Sequence, residues 1–223
     1  MNSQIKIIAE KILGRPLSQK DGMSRSKINT IEKSLGRKLP TVLKEFYLLV
    51  GKMDMFMSSF ELFITPSMKD GILVFLEENQ GVCHWGVNIR DGDNAVVFQC
   101  ADIESDNPEW YSEEVNLTDF LTIQMYYQYV QDDCEYGGAV DASRFDDNKK
   151  YLQFLTNVTI GYEKVVDHNG LVIYQNDGKL IWHLTDSEGQ LADSILAVAR
   201  TADDMKELEL HGFRRSEKKF HTA

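Results

Sequence analysis

The sequence predicts an α+β fold: a single domain over residues 1–223, with a mainly antiparallel, curved sheet of about six strands and several packed helices. Three observations predict it. Apolar residues recur at helical spacing over the first 50 residues. Short runs rich in β-branched and aromatic residues follow, separated by turn sequences. Helix-like and strand-like segments come in blocks instead of alternating as β–α–β units, which disfavours a parallel sheet.

Three helices are expected at the amino terminus. The first covers residues 3–13, where charged residues interrupt the apolar ones at helical spacing, unlike in a signal peptide. Ser26 is the expected N-cap of the second helix, and Gly36 is expected to end it. Pro40 is expected at the first position of the third helix, where its missing N–H costs nothing, and Gly51 is expected to end that helix.

The next segment predicts a meander of antiparallel strands. Asn79 and Gly81 supply one turn, and residues 91–94 (Asp-Gly-Asp-Asn) supply another. The latter also resemble the start of a calcium loop. Ala95 and Asp102, however, occupy the positions that need a further oxygen ligand and a bidentate glutamate, so a turn is the prediction. The predicted strands are residues 61–65, 71–77, 82–88 and 94–99.

The second half of the chain predicts another helix, a second set of strands and a last helix. Asn116 opens the helix through residue 129, with Asp119 at the capping-box position. Asn169-Gly170 and the sequence 176–178 (Asn-Asp-Gly) are strong hairpin signals. Thr201 is the expected cap of the last helix. The predicted strands are residues 162–166, 171–175, 179–184 and 194–199.

The charge is distributed unevenly along the chain. The formal net charge is −11. Residues 1–60 are nevertheless basic, with Lys33, Arg37 and Lys38 among the contributors. Acid is concentrated between residues 102 and 147, where Arg144 is the lone basic residue. The electrostatic field of such an acidic segment repels nucleic acid and attracts a basic partner. The alternative is that the acidic residues only keep the protein soluble.

Cysteine usage and motif spacing exclude several classes of function. The three cysteines, Cys83, Cys100 and Cys134, are odd in number and widely spaced, so we expect a reducing, cytoplasmic location and no disulfide framework. Nucleophile-elbow, dinucleotide-binding and P-loop motifs are absent, and the five histidines lack zinc-ligand spacing. We therefore expect no catalytic residues, no cofactor, no metal and no membrane span.

The acidic stretch is the candidate partner-binding surface. Trp110 and Tyr111 lie inside it, and rigid rings beside carboxylates suit recognition of a basic protein. The alternative is that Trp110 caps the core from a loop. The predicted partner-binding residues are Asp106, Glu109, Trp110, Tyr111, Glu113, Glu114, Asp132, Asp133 and Glu135.

The segment 31–51 resembles the opening motif of the SUKH superfamily. It contains Glu32, Leu35-Gly36 and Leu39-Pro40, and then Leu43, Phe46, Tyr47 and Gly51. Residues 73–87 are similar to the family's first hairpin, and the resemblance extends over about residues 26–211. It leaves the first helix and the tail as extensions. It implies a single α+β domain without enzymatic activity, whose bacterial members are mostly immunity proteins that bind and inhibit toxins, often nucleases.

Three functions remain open at this point. The first is an immunity protein that occludes the active site of a basic toxin. The second is an intracellular scaffold or regulatory adaptor of the cell-wall-regulator type, which would share the fold but lack a toxin partner. The third is an enzyme whose convergent polar pocket cannot be recognised from sequence.

Overall fold

The computed structural model describes residues 3–58, 61–131 and 136–215. Its chain divides into two compact units. The N-terminal unit comprises Met1–Lys11 and Arg15–Tyr129, and the C-terminal unit comprises Ile12–Gly14 and Val130–Ala223.

The N-terminal unit places helices before a five-stranded sheet. Each strand pairs antiparallel with the next one along the chain, so the spatial order is β1-β2-β3-β4-β5. The elements are α1 (Gln4–Leu13), α2 (Arg25–Leu35), α3 (Thr41–Val50), α4 (Asp54–Met57), β1 (Glu61–Lys69), β2 (Ile72–Glu78), β3 (His84–Asn88), a 3₁₀ helix (Ile89–Asn94), β4 (Val96–Cys100), β5 (Tyr111–Asn116) and α5 (Leu117–Gln131).

The ends of α2 and α3 differ from the sequence prediction in detail. Ser24, not Ser26, is the N-cap of α2, and its side chain accepts a hydrogen bond from a backbone N–H. Gly36 ends α2 in the left-handed region, at φ 64°, as expected. Pro40 is the N-cap of α3 rather than its first residue, and it has no side-chain acceptor to offer. Asp93 from the 3₁₀ helix supplies that acceptor, 2.9 Å from the N–H of Val42.

Aromatic rings join α3, the sheet and α5 in the core of the N-terminal unit. The ring centroids of Phe46 and Phe63 are 4.6 Å apart, and those of Phe75 and Phe120 are 6.1 Å apart. Tyr47 is 1% exposed, and its O–H donates to the carbonyl of Ile64 at 3.2 Å. Burying a side chain of this size stabilises a fold by roughly 1.5–3 kcal/mol, so this cluster dominates the packing.

The C-terminal unit contains a six-stranded antiparallel sheet. Its spatial order, β11-β6-β10-β9-β8-β7, contains three successive hairpins, β7–β8, β8–β9 and β9–β10. Asn169 and Asp177 adopt positive φ in the turns of the first two hairpins. The elements are β6 (Tyr136–Asp141), a 3₁₀ helix (Ala142–Arg144), α6 (Asn148–Val158), β7 (Glu163–His168), β8 (Leu171–Asn176), β9 (Lys179–Thr185), β10 (Leu191–Ala199), α7 (Ala202–Leu210) and β11 (Arg214–Arg215).

Helices α6 and α7 supply the apolar side chains that cover this sheet. Tyr151 and Leu155 from α6 and Met205 from α7 belong to one buried cluster with strand residues such as Val140. Gly138 on β6 makes room for it, because a Cβ there would lie 2.7 Å from the Met205 methyl group.

The α+β class and the antiparallel pairing are confirmed. The expectation of one sheet of about six strands is wrong, because the strands form two sheets, of five and six strands. Strands β5, β6 and β11 and helix α6 are not among the predicted elements. The single-domain boundary stays a prediction. In the described ranges no helix combines the length and the apolar character needed to cross a bilayer.

Candidate partner-binding site

The acidic stretch forms a loop and an edge strand of the N-terminal unit. Residues 101–110 connect β4 to β5, and β5 is the last strand of the five-stranded sheet. The predicted residues between Asp106 and Glu114 therefore fall on this loop and the strand that follows it. Asp106, Glu109, Tyr111 and Glu114 are exposed, whereas Trp110 and Glu113 are half-buried. Asp132, Asp133 and Glu135 lie outside the described residues.

Asp102 organises the loop that precedes the edge strand. Its Oδ1 accepts hydrogen bonds from the thiol of Cys100 at 3.2 Å and from the backbone N–H of Glu109 at 3.0 Å. These two bonds, the thiol's first, lower the pKa of Asp102. The carboxylate is therefore ionised at neutral pH and joins the two ends of the loop.

Trp110 and Tyr111 differ in how much of each side chain is exposed. The Tyr111 side chain is 56% exposed, and its O–H donates to Oε2 of Glu109, which raises the pKa of the phenol. The indole Nε1 of Trp110 is buried and has no acceptor among the described residues. Of this pair, Tyr111 exposes its ring to solvent, while Trp110 has the half-buried place expected of a residue that caps the core.

Glu113 faces inward instead of toward a partner. Its Oε1 accepts a 2.7 Å hydrogen bond from Nε1 of Trp85, a β3 residue that is 9% exposed. A carboxylate acceptor suits a buried indole donor, since an unpaired N–H in that position would cost roughly 1–3 kcal/mol. Glu113 thus has a structural role that the sequence analysis did not assign to it.

A β-bulge turns Glu114 outward. Asn116 pairs with Val96 and Ser112 with Phe98, so β5 contains two more residues than β4 over this stretch. Glu114 lies in the bulge at φ 57°, a conformation that residues other than glycine rarely adopt. Its N–H is bonded to the Ser112 hydroxyl at 3.0 Å. Bulges and charges both protect sheet edges from strand pairing, so a partner is expected to contact the side chains here and not to extend the sheet.

The exposed carboxylates of this surface are not neutralised by the surrounding chain. No lysine or arginine occurs between Arg90 and Arg144 in the sequence. Five exposed carboxylates lie here, those of Asp102, Glu104, Asp106, Glu109 and Glu114, and within the described ranges none of them makes an ion pair. Their negative potential extends about 8–10 Å into physiological salt. We call these five residues the acidic surface.

A buried carboxyl group, Glu61, lies in the same unit and was missed by the sequence analysis. It is 6% exposed, and its Oε2 has no hydrogen-bond partner among the described residues. Burial raises its pKa to about 8, with Glu113 and Glu78 as further, electrostatic causes. A sequence signal exists in α5, where Gln124 and Gln128 are both buried. Gln128 holds the backbone of Glu61 through bonds of 2.6 and 3.3 Å.

The described residues do not form an obvious metal site. They contain no cluster of three or more His, Cys, Asp or Glu side chains arranged to hold a metal ion. His183 is 4% exposed, burial lowers its pKa, and its Nδ1 lies 3.5 Å from the carbonyl of Leu184. That environment fits a structural histidine.

Comparison of the chain with models of known families, with curated proteins and with solved structures found no match. The SUKH assignment stays a prediction from the residues of segment 31–51 and the order of elements.

Proposed function

We propose that this chain is a non-enzymatic immunity protein of the cytoplasm that neutralises a cognate toxin by binding it and occluding its active site or substrate groove. The observation that carries the proposal is the acidic surface, a group of exposed carboxylates without ion-pair partners in the described chain. The resemblance of residues 26–211 to the SUKH superfamily supports the same function.

The chemistry of the surface suits a basic toxin domain. A nuclease needs a positively charged groove to bind phosphates, and exposed carboxylates on the loop before β5 and on β5 itself can imitate that substrate. Tyr111 adds an exposed ring beside Glu109, and exposed aromatic rings are the kind of anchor that dominates many interfaces. The charges raise the rate of association, and the ring contributes contact area that slows dissociation.

Affinity purification from the native host tests this proposal. The tagged chain is compared with the double variant Glu109→Lys, Glu114→Lys at low and at high salt. Both side chains are exposed, and neither belongs to the core. The matched control is Glu188→Lys, Asp193→Lys, which makes the same charge change at exposed positions of the C-terminal unit.

The proposal predicts a stoichiometric, basic, toxin-like partner that copurifies with the wild-type chain and the control. At low salt, the rate at which the double variant associates with this partner should be at least about tenfold lower than that of the wild-type chain. High salt should reduce the difference between the two variants. Equal recovery with both variants would contradict the role of the acidic surface. Recovery of housekeeping proteins alone would favour an intracellular adaptor.

A further inference from the structure

A cavity of about 250 Å³ lies at the end of the five-stranded sheet where β1 turns into β2. Four segments of the N-terminal unit meet there: the segment that follows the C-cap of α2, the β1–β2 turn, the end of β3 and the start of the 3₁₀ helix. The acidic surface does not contribute to it. The lining residues are Arg37, Asp70, Gly71, Ile72, Asn88 and Arg90.

Local backbone structure positions the two arginines. Gly36 turns the chain at the end of α2, so that Arg37 follows at once, with its N–H bonded to the carbonyl of Glu32 at 3.2 Å. Asn88 caps the 3₁₀ helix, where its Oδ1 accepts the N–H of Arg90 at 3.1 Å. The Asn88 side chain therefore has its amide N–H₂ left as a donor beside the cavity.

The guanidinium groups have no counter-ion in the described chain. Neither Arg37 nor Arg90 makes an ion pair with a described residue, although the protein has 35 acidic residues and 24 lysines and arginines. Asp70 also lines the cavity but is paired with neither arginine. Two arginines on one small cavity, neither in an ion pair with a described residue, are unexpected in a protein whose formal net charge is −11.

The positive charge continues beyond the cavity. Arg37 also lines an adjoining cavity of about 520 Å³, together with Lys33 and Lys38. Lys38 is paired with Glu32 at 2.8 Å, whereas Lys33 has no ion pair among the described residues. The potential at Arg37 and Arg90 is therefore reinforced from the side of α2.

We infer that this cavity is a binding site for a phosphate-class oxyanion, held by the guanidinium groups of Arg37 and Arg90 and by the amide of Asn88. Guanidinium groups present paired N–H donors whose spacing matches two oxygens of one phosphate. The amide adds a neutral donor, and Asp70 limits the net charge of the lining to about +1, which favours a small anion over a long polyanion. The site is independent of the toxin-binding proposal.

Nuclear magnetic resonance titration with sodium phosphate tests the inference on the full chain. Sodium chloride at equal ionic strength controls for screening, and sodium acetate and a phosphomonoester distinguish the kinds of oxyanion. The signals to follow are the backbone amide of Gly71 and the side-chain N–H groups of Arg37, Arg90 and Asn88. The test variants are Arg37→Gln, Arg90→Gln and their combination, and the control is Lys27→Gln, an exposed charge on α2 that does not line the cavity.

The inference predicts saturable shifts at these groups with phosphate or the phosphomonoester and not with chloride. Each single variant should weaken binding about three- to tenfold, the combined variant should abolish it, and Lys27→Gln should leave it unchanged. All the arginines tested are exposed, so unchanged spectra of the core will confirm folding. Shifts that do not saturate, that chloride reproduces, or that survive in the combined variant would overturn the inference. Saturation by acetate alone would reassign the site to carboxylates and overturn the phosphate class.

Discussion

Replacing Glu61 with glutamine should stabilise the N-terminal unit at neutral and alkaline pH. The carboxyl group is 6% exposed, and burial is the first cause of a pKa of about 8, against an ordinary value of 4.5. The folded chain therefore keeps this proton at a pH where the unfolded chain has lost it. Glutamine has a similar shape and never ionises.

The magnitude follows from the two pKa values of Glu61. Below pH 4.5 the Glu61 carboxyl group is protonated in both the folded and the unfolded chain, so its ionisation does not change the free energy of unfolding. As the pH rises from 4.5 to about 8, the unfolded chain ionises first and the free energy of unfolding falls. At about 1.4 kcal/mol per pH unit, the loss is roughly 3 kcal/mol at pH 7 and on the order of 5 kcal/mol above pH 8.

Urea unfolding of the wild-type chain and of Glu61→Gln at pH 5, 7 and 9 measures this difference. Tryptophan fluorescence is a suitable signal, because Trp85 and Trp110 belong to the same unit as Glu61. Glu114→Gln is the control, since that side chain is exposed on the edge strand. The gain from Glu61→Gln should grow steadily with pH, while the control should differ from wild type by a constant amount. An equal effect of Glu61→Gln at pH 5 and pH 9 would refute the burial of a neutral carboxyl group.

Three further substitutions test separate contacts of the N-terminal unit by urea unfolding. Glu113→Ala should lower the free energy of unfolding by roughly 1–3 kcal/mol, because it leaves the Trp85 indole without its acceptor. Glu113→Gln keeps an acceptor oxygen and should lose less stability, and equal losses would argue against the hydrogen bond. Glu114→Gly should stabilise by up to about 1 kcal/mol, since glycine adopts φ 57° without strain; a loss of stability would show that the Glu114 side chain holds the bulge. Glu32→Ala should cost roughly 1–3 kcal/mol, because it removes the acceptor of the Leu39 N–H, whereas the two lysines left behind are 81% and 33% exposed and can be solvated. The pKa of Glu32 is lowered, so wild type should approach the variant in strong acid.

The elements predicted correctly have strong local signals. Helices α2 and α3 combine apolar periodicity with glycine at their ends, and the hairpins of the C-terminal sheet follow their turn sequences. Helix α6 has such a signal too, since Asp147 caps it and Tyr151, Leu155 and Val158 recur at helical spacing. The acidic residues that precede this helix mask the signal when the segment is read for its charge.

The missed strands depend on contacts that are distant in sequence. Strand β5 contains Val115 as its sole aliphatic residue and becomes a strand by pairing with β4. Strand β6 contains Gly137 and Gly138, which disfavour strands locally, yet it pairs with β10 more than 50 residues later. The split into two sheets depends on these pairings, and so could not be predicted from local patterns.

The candidate site was predicted by charge and position but not by side-chain direction. A run of acidic residues marks a surface, whereas the bulge that separates Glu113 from Glu114 depends on the register with β4. Trp85 then selects Glu113 as its acceptor, which removes that residue from the acidic surface. Likewise, the environment of Glu61 is set by α5 packing against β1, more than 60 residues away in sequence.

Deletion of the gene in the native host, followed by growth alone and beside toxin-producing siblings, tests the proposed function most directly. The immunity function predicts normal growth in pure culture and killing in co-culture. It also predicts rescue by the wild-type gene and by Glu188→Lys, Asp193→Lys, with poor rescue by Glu109→Lys, Glu114→Lys. A growth defect in pure culture without any sensitivity to siblings would contradict it and favour a cellular adaptor. Full rescue by all three genes would leave immunity intact and contradict the role of the acidic surface.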